Sequence, residues 1–302
     1  MKTNKFNFKD LYSVIWTSEE PPKAVLQIVH GMTEHIDRYE TLAENLTTSG
    51  IVVAGFDLPG HGHNNKTSSC ASLGEDGWEK TLEAIDSFHK SLKEHYPDIP
   101  HIILGFSLGS FIVRDYLSKY KSDFSAAVIA GTGDQPSFVL SVLKSIVNSQ
   151  INKNGFDNTT PLVKKLSFET YNEKFKPVKT SCDWLCSDEI ENQKYIFDIL
   201  CKENISSGLF WQLLDAMKRT GEKSTYSSWK EDLPVLLLSG ENDPVGDFGK
   251  GVSRTENKMR QSGINNLKTV LFPNARHDIF HEIENGTFYD VVNELDNFIL
   301  SI

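Results

Sequence analysis

The chain has 302 residues, 39% hydrophobic and 24% charged. That composition excludes collagen, coiled coil and whole-chain disorder, and the length is enough to bury a core without staples. Forty-one acidic against 31 basic residues give a net charge of -10, so nucleic acid, which needs a basic face, is not an expected partner.

Phe6–Trp16 (FNFKDLYSVIW), running into Glu19-Glu20-Pro21-Pro22, reads as an antiparallel edge strand. Six near-continuous apolar runs follow: 24–30, 51–57, 101–106, 125–131, 234–240 and 267–273. Such runs suit parallel strands covered on both faces. Helical spacing lies between them. Tyr39, Leu42 and Leu46 mark one helix, with Gly50 placed to end it. Trp78, Leu82, Ile85 and Leu92 mark a second, and Phe288, Val291, Val292, Leu295 and Ile299 a third. Strands alternating with helices predict an α/β fold with a mostly parallel central sheet.

The alternation fails between about residues 133 and 230. Ser137–Ile151 carries one charge, Lys144, with apolar pairs at 138/139, 142/143 and 146/147, which predicts an amphipathic helix. The stretch holds 13 basic and 12 acidic residues, while the rest of the chain holds 18 and 29. The expected organisation is a core of residues 1–132 and 231–302, split by a mainly helical insertion at 133–230.

Cys70, Cys182, Cys186 and Cys201 show no CxxC spacing and are too few for a disulfide scaffold. The opening MKTNKFNFKD lacks the apolar core of a signal peptide, and no apolar run reaches the ~18 residues of a membrane span. Reduced thiols and a cytoplasmic location are expected.

The sharpest motif is Gly105-Phe106-Ser107-Leu108-Gly109. It follows the apolar run HIIL and precedes a helical pattern through Tyr120. Strand, tight turn and helix around G-x-S-x-G expose a serine as nucleophile. A serine needs a histidine base oriented by a carboxylate, in chain order Ser, Asp or Glu, His. Asp243 and His277 each fall just past a strand run, with Asp247 and His281 as rivals four residues on, expected in the following helices. An aspartate in such a loop also caps helices, and a histidine there can be a plain surface group. Backbone N–H groups of Leu108 and Met32 are the candidate oxyanion-hole donors. The thioether of Met32 could also line an acyl pocket.

His30, Glu34, His35, Asp57, His61 and His63 match no common zinc spacing. His30 and His61 are read as hydrogen-bonding groups that shape the loop after the first parallel strand and the turn Asp57-Leu-Pro-Gly-His-Gly. Neither a metal nor a cofactor is expected.

Several blocks together resemble the monoacylglycerol lipase and lysophospholipase branch of the α/β-hydrolases, also called the serine aminopeptidase-like family. These are Ile28-Val-His-Gly-Met-Thr-Glu-His with Arg38-Tyr39, Phe56-Asp-Leu-Pro-Gly-His-Gly-His, the serine motif, Gly240-Glu-Asn-Asp-Pro-Val, and Ala275-Arg-His-Asp-Ile-Phe-His-Glu. The resemblance spans about Phe6 to Phe298. Asn64 stands where the family usually has serine, and Leu108 where it often has methionine. The resemblance implies an α/β-hydrolase fold and the triad Ser107, Asp243, His277. It also implies that residues 133–230 form a cap, and that the protein is of bacterial, cytoplasmic type. The expected reaction is hydrolysis of carboxylic esters of lipid type through an acyl-enzyme.

The alternatives are a peptidase or amidase, and a non-catalytic binding protein on the same fold. The amine-binding reading requires carboxylates in the cap, with Glu169, Glu173, Asp183, Asp188 and Glu189 available. The apolar residues of 138–147, with Phe210, Trp211, Leu214 and Met217, would either hold an acyl chain or form the cap's own core. The near-neutral cap on an acidic body favours transient contact with an anionic membrane surface. The oligomeric state is left open.

Overall fold

The computed structural model describes residues 1–65, 69–120 and 123–302. Eight strands form one sheet: β1 (Lys2–Phe8), β2 (Leu11–Thr17), β3 (Ala24–Val29), β4 (Ile51–Phe56), β5 (His101–Phe106), β6 (Ala126–Ala130), β7 (Val235–Gly240) and β8 (Leu267–Phe272). Their order across the sheet is β1-β2-β4-β3-β5-β6-β7-β8. From β4 to β8 every pairing is parallel. This is the α/β-hydrolase architecture.

The six apolar runs all become strands, within one or two residues of their expected ends. Their continuity has a direct cause, because side chains alternate between two cores. In β3, Val25 and Val29 join one core while Leu26 and Ile28 join the other. In β7, Val235 and Leu237 oppose Leu236 and Leu238 in the same way. With both faces covered, these inner strands carry apolar side chains at nearly every position, with Gln27 donating its side-chain amide to the Ile85 carbonyl.

The N-terminal segment differs from expectation. It forms two strands rather than one, joined by Lys9 and Asp10, both at positive φ. A two-residue turn of that handedness matches the twist of a hairpin. β2 pairs antiparallel with β4 and attaches the hairpin to the parallel sheet.

Helices α1 (Glu40–Thr47), α2 (Gly77–His95) and α3 (Leu108–Lys119) belong to the first part of the chain. Then come α4 (Ser137–Asn154), α5 (Pro161–Lys164), α6 (Thr170–Asn172), α7 (Glu189–Phe197), α8 (Ser207–Thr220) and α9 (Lys223–Ser227). Helices α10 (Lys250–Gln261) and α11 (Thr287–Leu300) complete the fold. The helices α4 to α9 all fall between β6 and β7.

Helix α4 buries only Leu140 and Val147 fully, whereas Phe138, Val139, Val142 and Ile146 stay exposed. Leu143 and Ile151 pack with Leu140 and Val147 against the core, so the helix is covered on one side and exposes apolar residues on the other. Phe210 and Leu214 of α8 are buried in the core, and Trp211 and Met217 pack against it.

Both ends of the segment between β6 and β7 meet at one buried side chain. Arg114 of α3 donates from Nη1 to Thr132 Oγ1 at 2.9 Å and to the Gly133 carbonyl at 3.1 Å. From Nη2 it donates to the Thr220 carbonyl at 2.8 Å and to the Tyr226 hydroxyl. Its guanidinium also lies over the Phe111 and Tyr226 rings.

Candidate active site

Ser107 sits between β5 and α3 with φ 51 and ψ -115. This left-handed backbone is strained for a residue with a side chain. The surroundings impose it. Ser107 donates its N–H to the Ala130 carbonyl at 3.0 Å. A Cβ on Gly109 would lie 1.9 Å from the Val29 carbonyl oxygen, and one on Gly105 would lie 2.4 Å from the Gly109 carbonyl oxygen. Only glycine at both positions lets α3 approach β3 and β5 this closely.

His277 follows β8, and its Nε2 is hydrogen-bonded to Ser107 Oγ at 2.8 Å. Its Nδ1 lies 2.9 Å from Asp243 Oδ1, with both side chains buried. The other contacts of Asp243 hold it still, since Oδ1 accepts from Val245 N at 2.8 Å and Oδ2 from Ser239 Oγ at 3.3 Å. The structure thus brings Ser107, His277 and Asp243 into one line.

The rivals lie apart, and in loops rather than helices. Asp247 precedes α10 and pairs with Arg254 at 3.1 Å. His281 precedes α11 and is bonded to Asp278 and to the Arg38 carbonyl.

A chamber of about 30 Å³ opens beside Ser107, lined by Gly31, Met32, Thr33, Glu34, Phe106, His277 and Asp278 together with Trp184, Leu185 and Tyr195. Met32 thus borders the serine. Leu108 is the first residue of α3, where a backbone N–H has no intrahelical acceptor; its side chain is buried in the core.

Trp184, Leu185 and Tyr195 escaped sequence reasoning. Trp184 stacks on His277, with centroids 5.2 Å apart, and Phe106 packs near the imidazole at 5.0 Å. The Leu185 carbonyl accepts from Asp278 N at 2.6 Å. Tyr195 bonds Thr33 Oγ1 at 2.7 Å, Lys202 N donates to the Thr33 carbonyl at 3.1 Å, and His35 Nε2 meets Asp198 Oδ2 at 2.8 Å. The segment between β6 and β7 is stitched to the loop after β3 at these points.

A larger cavity of about 480 Å³ shares Thr33, Trp184, Leu185 and Tyr195 with the chamber and extends to Cys182, Ile196 and Cys201. Neither space is lined by the apolar residues of α4, or by Phe210, Trp211, Leu214 or Met217.

His30 and His61 make the bonds expected of them. His30 Nε2 accepts from Leu58 N at 2.9 Å and its Nδ1 meets the Gly31 carbonyl at 2.7 Å; His61 Nδ1 meets the Pro59 carbonyl at 3.0 Å. Burial lowers both histidines to about 4, so both are neutral at pH 7. Asn64 donates to the Asp57 carbonyl and accepts from Tyr12 N, tying the turn to β2. Asp57 receives Ile36 N and His63. Among the described residues, His35, Asp198 and Cys201 place ligand-type atoms within 4.8 Å of one another, but the histidine and aspartate are already bonded to each other.

The four cysteines form no disulfide. Burial pushes the thiols of Cys182, Cys186 and Cys201 up. They are not thiolates at neutral pH.

The fold and this site define an α/β-hydrolase. The chain matches the family described as serine aminopeptidase, S33, over residues 20–284, and it belongs to that family. It is 26% identical to a monoglyceride lipase homolog of Monkeypox virus over 305 residues, covering 100% of this chain and 99% of that protein. It is 25% identical to the monoglyceride lipase of Homo sapiens, covering 90% of this chain and 85% of that one. In structure it resembles a thermostable carboxyl esterase from Bacillus coagulans, with a TM-score of 0.88, 24% identity and 99% of each chain covered.

Proposed function

We propose that the protein is a serine carboxylic-ester hydrolase acting on lipid esters such as monoacylglycerols or lysophospholipids. The observation that carries this reading is the line Ser107–His277–Asp243, with contacts of 2.8 and 2.9 Å, at the edge of a chamber bordered by Met32. Monoglyceride lipases among the relatives support the substrate class.

In the reaction, Ser107 Oγ attacks the ester carbonyl carbon while His277 Nε2 takes its proton. Asp243 orients the imidazole and stabilises its charged form. The N–H groups of Met32 and Leu108 hold the oxyanion. His277 returns the proton to the departing alcohol. Water, activated by the same base, then releases the carboxylic acid. These steps need no cofactor.

The 30 Å³ chamber holds one or two waters by volume. Admitting an ester therefore requires movement of Trp184, Leu185 or Tyr195, and residues 133–230 act as a cap in this reading. The acyl chain goes to the 480 Å³ cavity. The amine-binding alternative fares poorly on burial. Glu169 and Glu173 reach that cavity, but both are exposed to solvent. Asp183 and Asp188 are spent on backbone N–H groups, and Glu189 pairs with Lys179.

Phe138, Phe197 and Ile199 are 78%, 79% and 85% exposed. We read these exposed apolar side chains as the groups that touch a lipid surface transiently. Among the described residues no helix is long and apolar enough to cross a membrane. The four cysteines without disulfides suit a reducing compartment, so we place the protein in the cytoplasm.

The test is labelling with a fluorophosphonate, together with turnover of p-nitrophenyl esters from two to sixteen carbons. Wild type is expected to label and to prefer medium or long chains, and Ser107→Ala to lose labelling and about 10⁴-fold or more of kcat. A wild type that neither labels nor turns over any ester overturns the reading.

A further inference from the structure

The loop that carries Met32 and the loop that carries His277 come from opposite ends of the chain. Their relative position must be fixed to within a fraction of an ångström, because misplacement by about 1 Å costs roughly 10²-fold in rate. One buried side chain connects them. Arg38 Nε donates to Glu34 Oε2 at 3.2 Å, and Arg38 Nη2 donates to Asp278 Oδ2 at 2.9 Å. Asp278 is the residue after His277. Glu34 completes the link with its other oxygen, since Oε1 accepts the Gly31 N–H at 2.5 Å, one residue before Met32. A Cβ on Gly31 would lie 2.7 Å from that oxygen, so glycine is what lets the carboxylate reach under the loop.

We propose that Arg38 is a positioning residue for ester hydrolysis, holding the oxyanion-donor loop in register with the general-base loop through Glu34 and Asp278. The inference rests on the hydrolase reading above. Stability alone does not account for the arrangement. Burying two carboxylates and a guanidinium costs desolvation that apolar residues of similar size would avoid. What the ionic bridge supplies is fixed geometry, because a planar fork binds in two directions and a lysine binds as a point charge. Although burial opposes ionisation of Asp278, His281 and Arg38 more than offset it and hold the carboxyl well below its usual range. The bridge is therefore ionic at working pH. Arg38 also lies 5.0 Å from the Tyr195 ring centroid, so the cap packs against the same group.

The experiment compares wild type with Arg38→Met, Arg38→Lys, Asp278→Asn and the Arg38→Met/Asp278→Asn pair. The readouts are kcat and KM on a p-nitrophenyl ester, and the inhibition constant of an alkyl boronic acid, which forms a tetrahedral adduct on the serine. Circular dichroism and thermal melts establish folding. Arg38→Met is expected to lower kcat about 10²-fold with KM within about threefold, and to weaken boronate binding by a similar factor. Arg38→Lys should recover part of both. The double variant should lose little more than Arg38→Met alone, because both substitutions cut one bridge.

Folded Arg38→Met with wild-type kcat and boronate affinity overturns the proposal, as do fully additive losses in the double variant. If Arg38→Met does not fold, Asp278→Asn decides, because it removes the carboxylate charge on which the ionic bridge depends while keeping the side chain's shape; unchanged kcat and boronate affinity there overturn the proposal. Wild type without ester turnover or boronate binding removes the hydrolase reading, and the proposal with it, and is distinguished by appearing before any substitution is made.

Discussion

His30 and His61 show how single residues set the pH range over which the fold is stable. Both are neutral when folded because burial lowers them to about 4, and the neighbouring His30 adds to this at His61. In the unfolded chain each takes a proton near pH 6.5. Between these values the unfolded state binds more protons. The stability they contribute is complete above about pH 6.5 and is lost as pH falls towards 4. By pH 5 the loss is roughly 2 kcal/mol per histidine. Protonated His30 could no longer accept the Leu58 N–H. Urea titrations at pH 7.5 and pH 5.0 should show this loss, and His30→Gln should flatten it. A midpoint independent of pH over that interval would contradict the assignment.

The site was partly legible in the sequence at this scale. Ser107, Asp243 and His277 follow strands, and strand ends are readable from local apolar runs. Trp184, Tyr195 and the bridge of Arg38 were not readable. Their contacts join residues 93 to 240 positions apart, and no local period encodes such closures.

At the level of elements, the sheet was legible because each inner strand is buried on both faces and is apolar at nearly every position. The N-terminal hairpin was missed because its turn is Lys9-Asp10 rather than the Asn-Gly or Asp-Gly that advertises such a turn. The segment between β6 and β7 was legible as helical, but its packing was not. The apolar pairs of α4 predicted a buried face, and the structure leaves four of those side chains exposed. Burial there depends on which helix happens to lie across α4, and that is a tertiary fact.

The anchoring of this segment gives a prediction. Arg114 satisfies acceptors at Thr132 and Gly133 on one end and at Thr220 and Tyr226 on the other. Arg114→Met would remove the donor to Thr132 Oγ1 and the Gly133 carbonyl, whereas the Thr220 carbonyl would keep the Tyr226 hydroxyl. Hydrogen bonds to charged groups contribute about 1.5–3 kcal/mol each, so the loss should be at least about 3 kcal/mol. Urea unfolding measures it directly. A loss below about 1 kcal/mol would mean that other contacts hold the junction.

For the whole molecule, charge is unevenly divided along the chain. The segment at 133–230 is near neutral, with 13 basic and 12 acidic residues, while the remainder carries 18 and 29. An anionic lipid surface repels the body more than the segment. The exposed Phe138 and Phe197 both belong to that segment, as does Ile199. A phenylalanine moved from water into the lipid boundary gains roughly 1.5–3 kcal/mol, about tenfold or more in partitioning. Phe138→Asp combined with Phe197→Asp should therefore reduce co-flotation with phosphatidylglycerol-containing vesicles by at least tenfold. Neither residue lines the chamber or the cavity, so turnover of a soluble short-chain ester should be unchanged. Hydrolysis of a vesicle-borne long-chain ester should fall with the binding. Equal flotation of variant and wild type would overturn the lipid-contact reading of these side chains. A parallel fall in soluble-ester turnover would show that these phenylalanines act on cap position rather than on lipid contact.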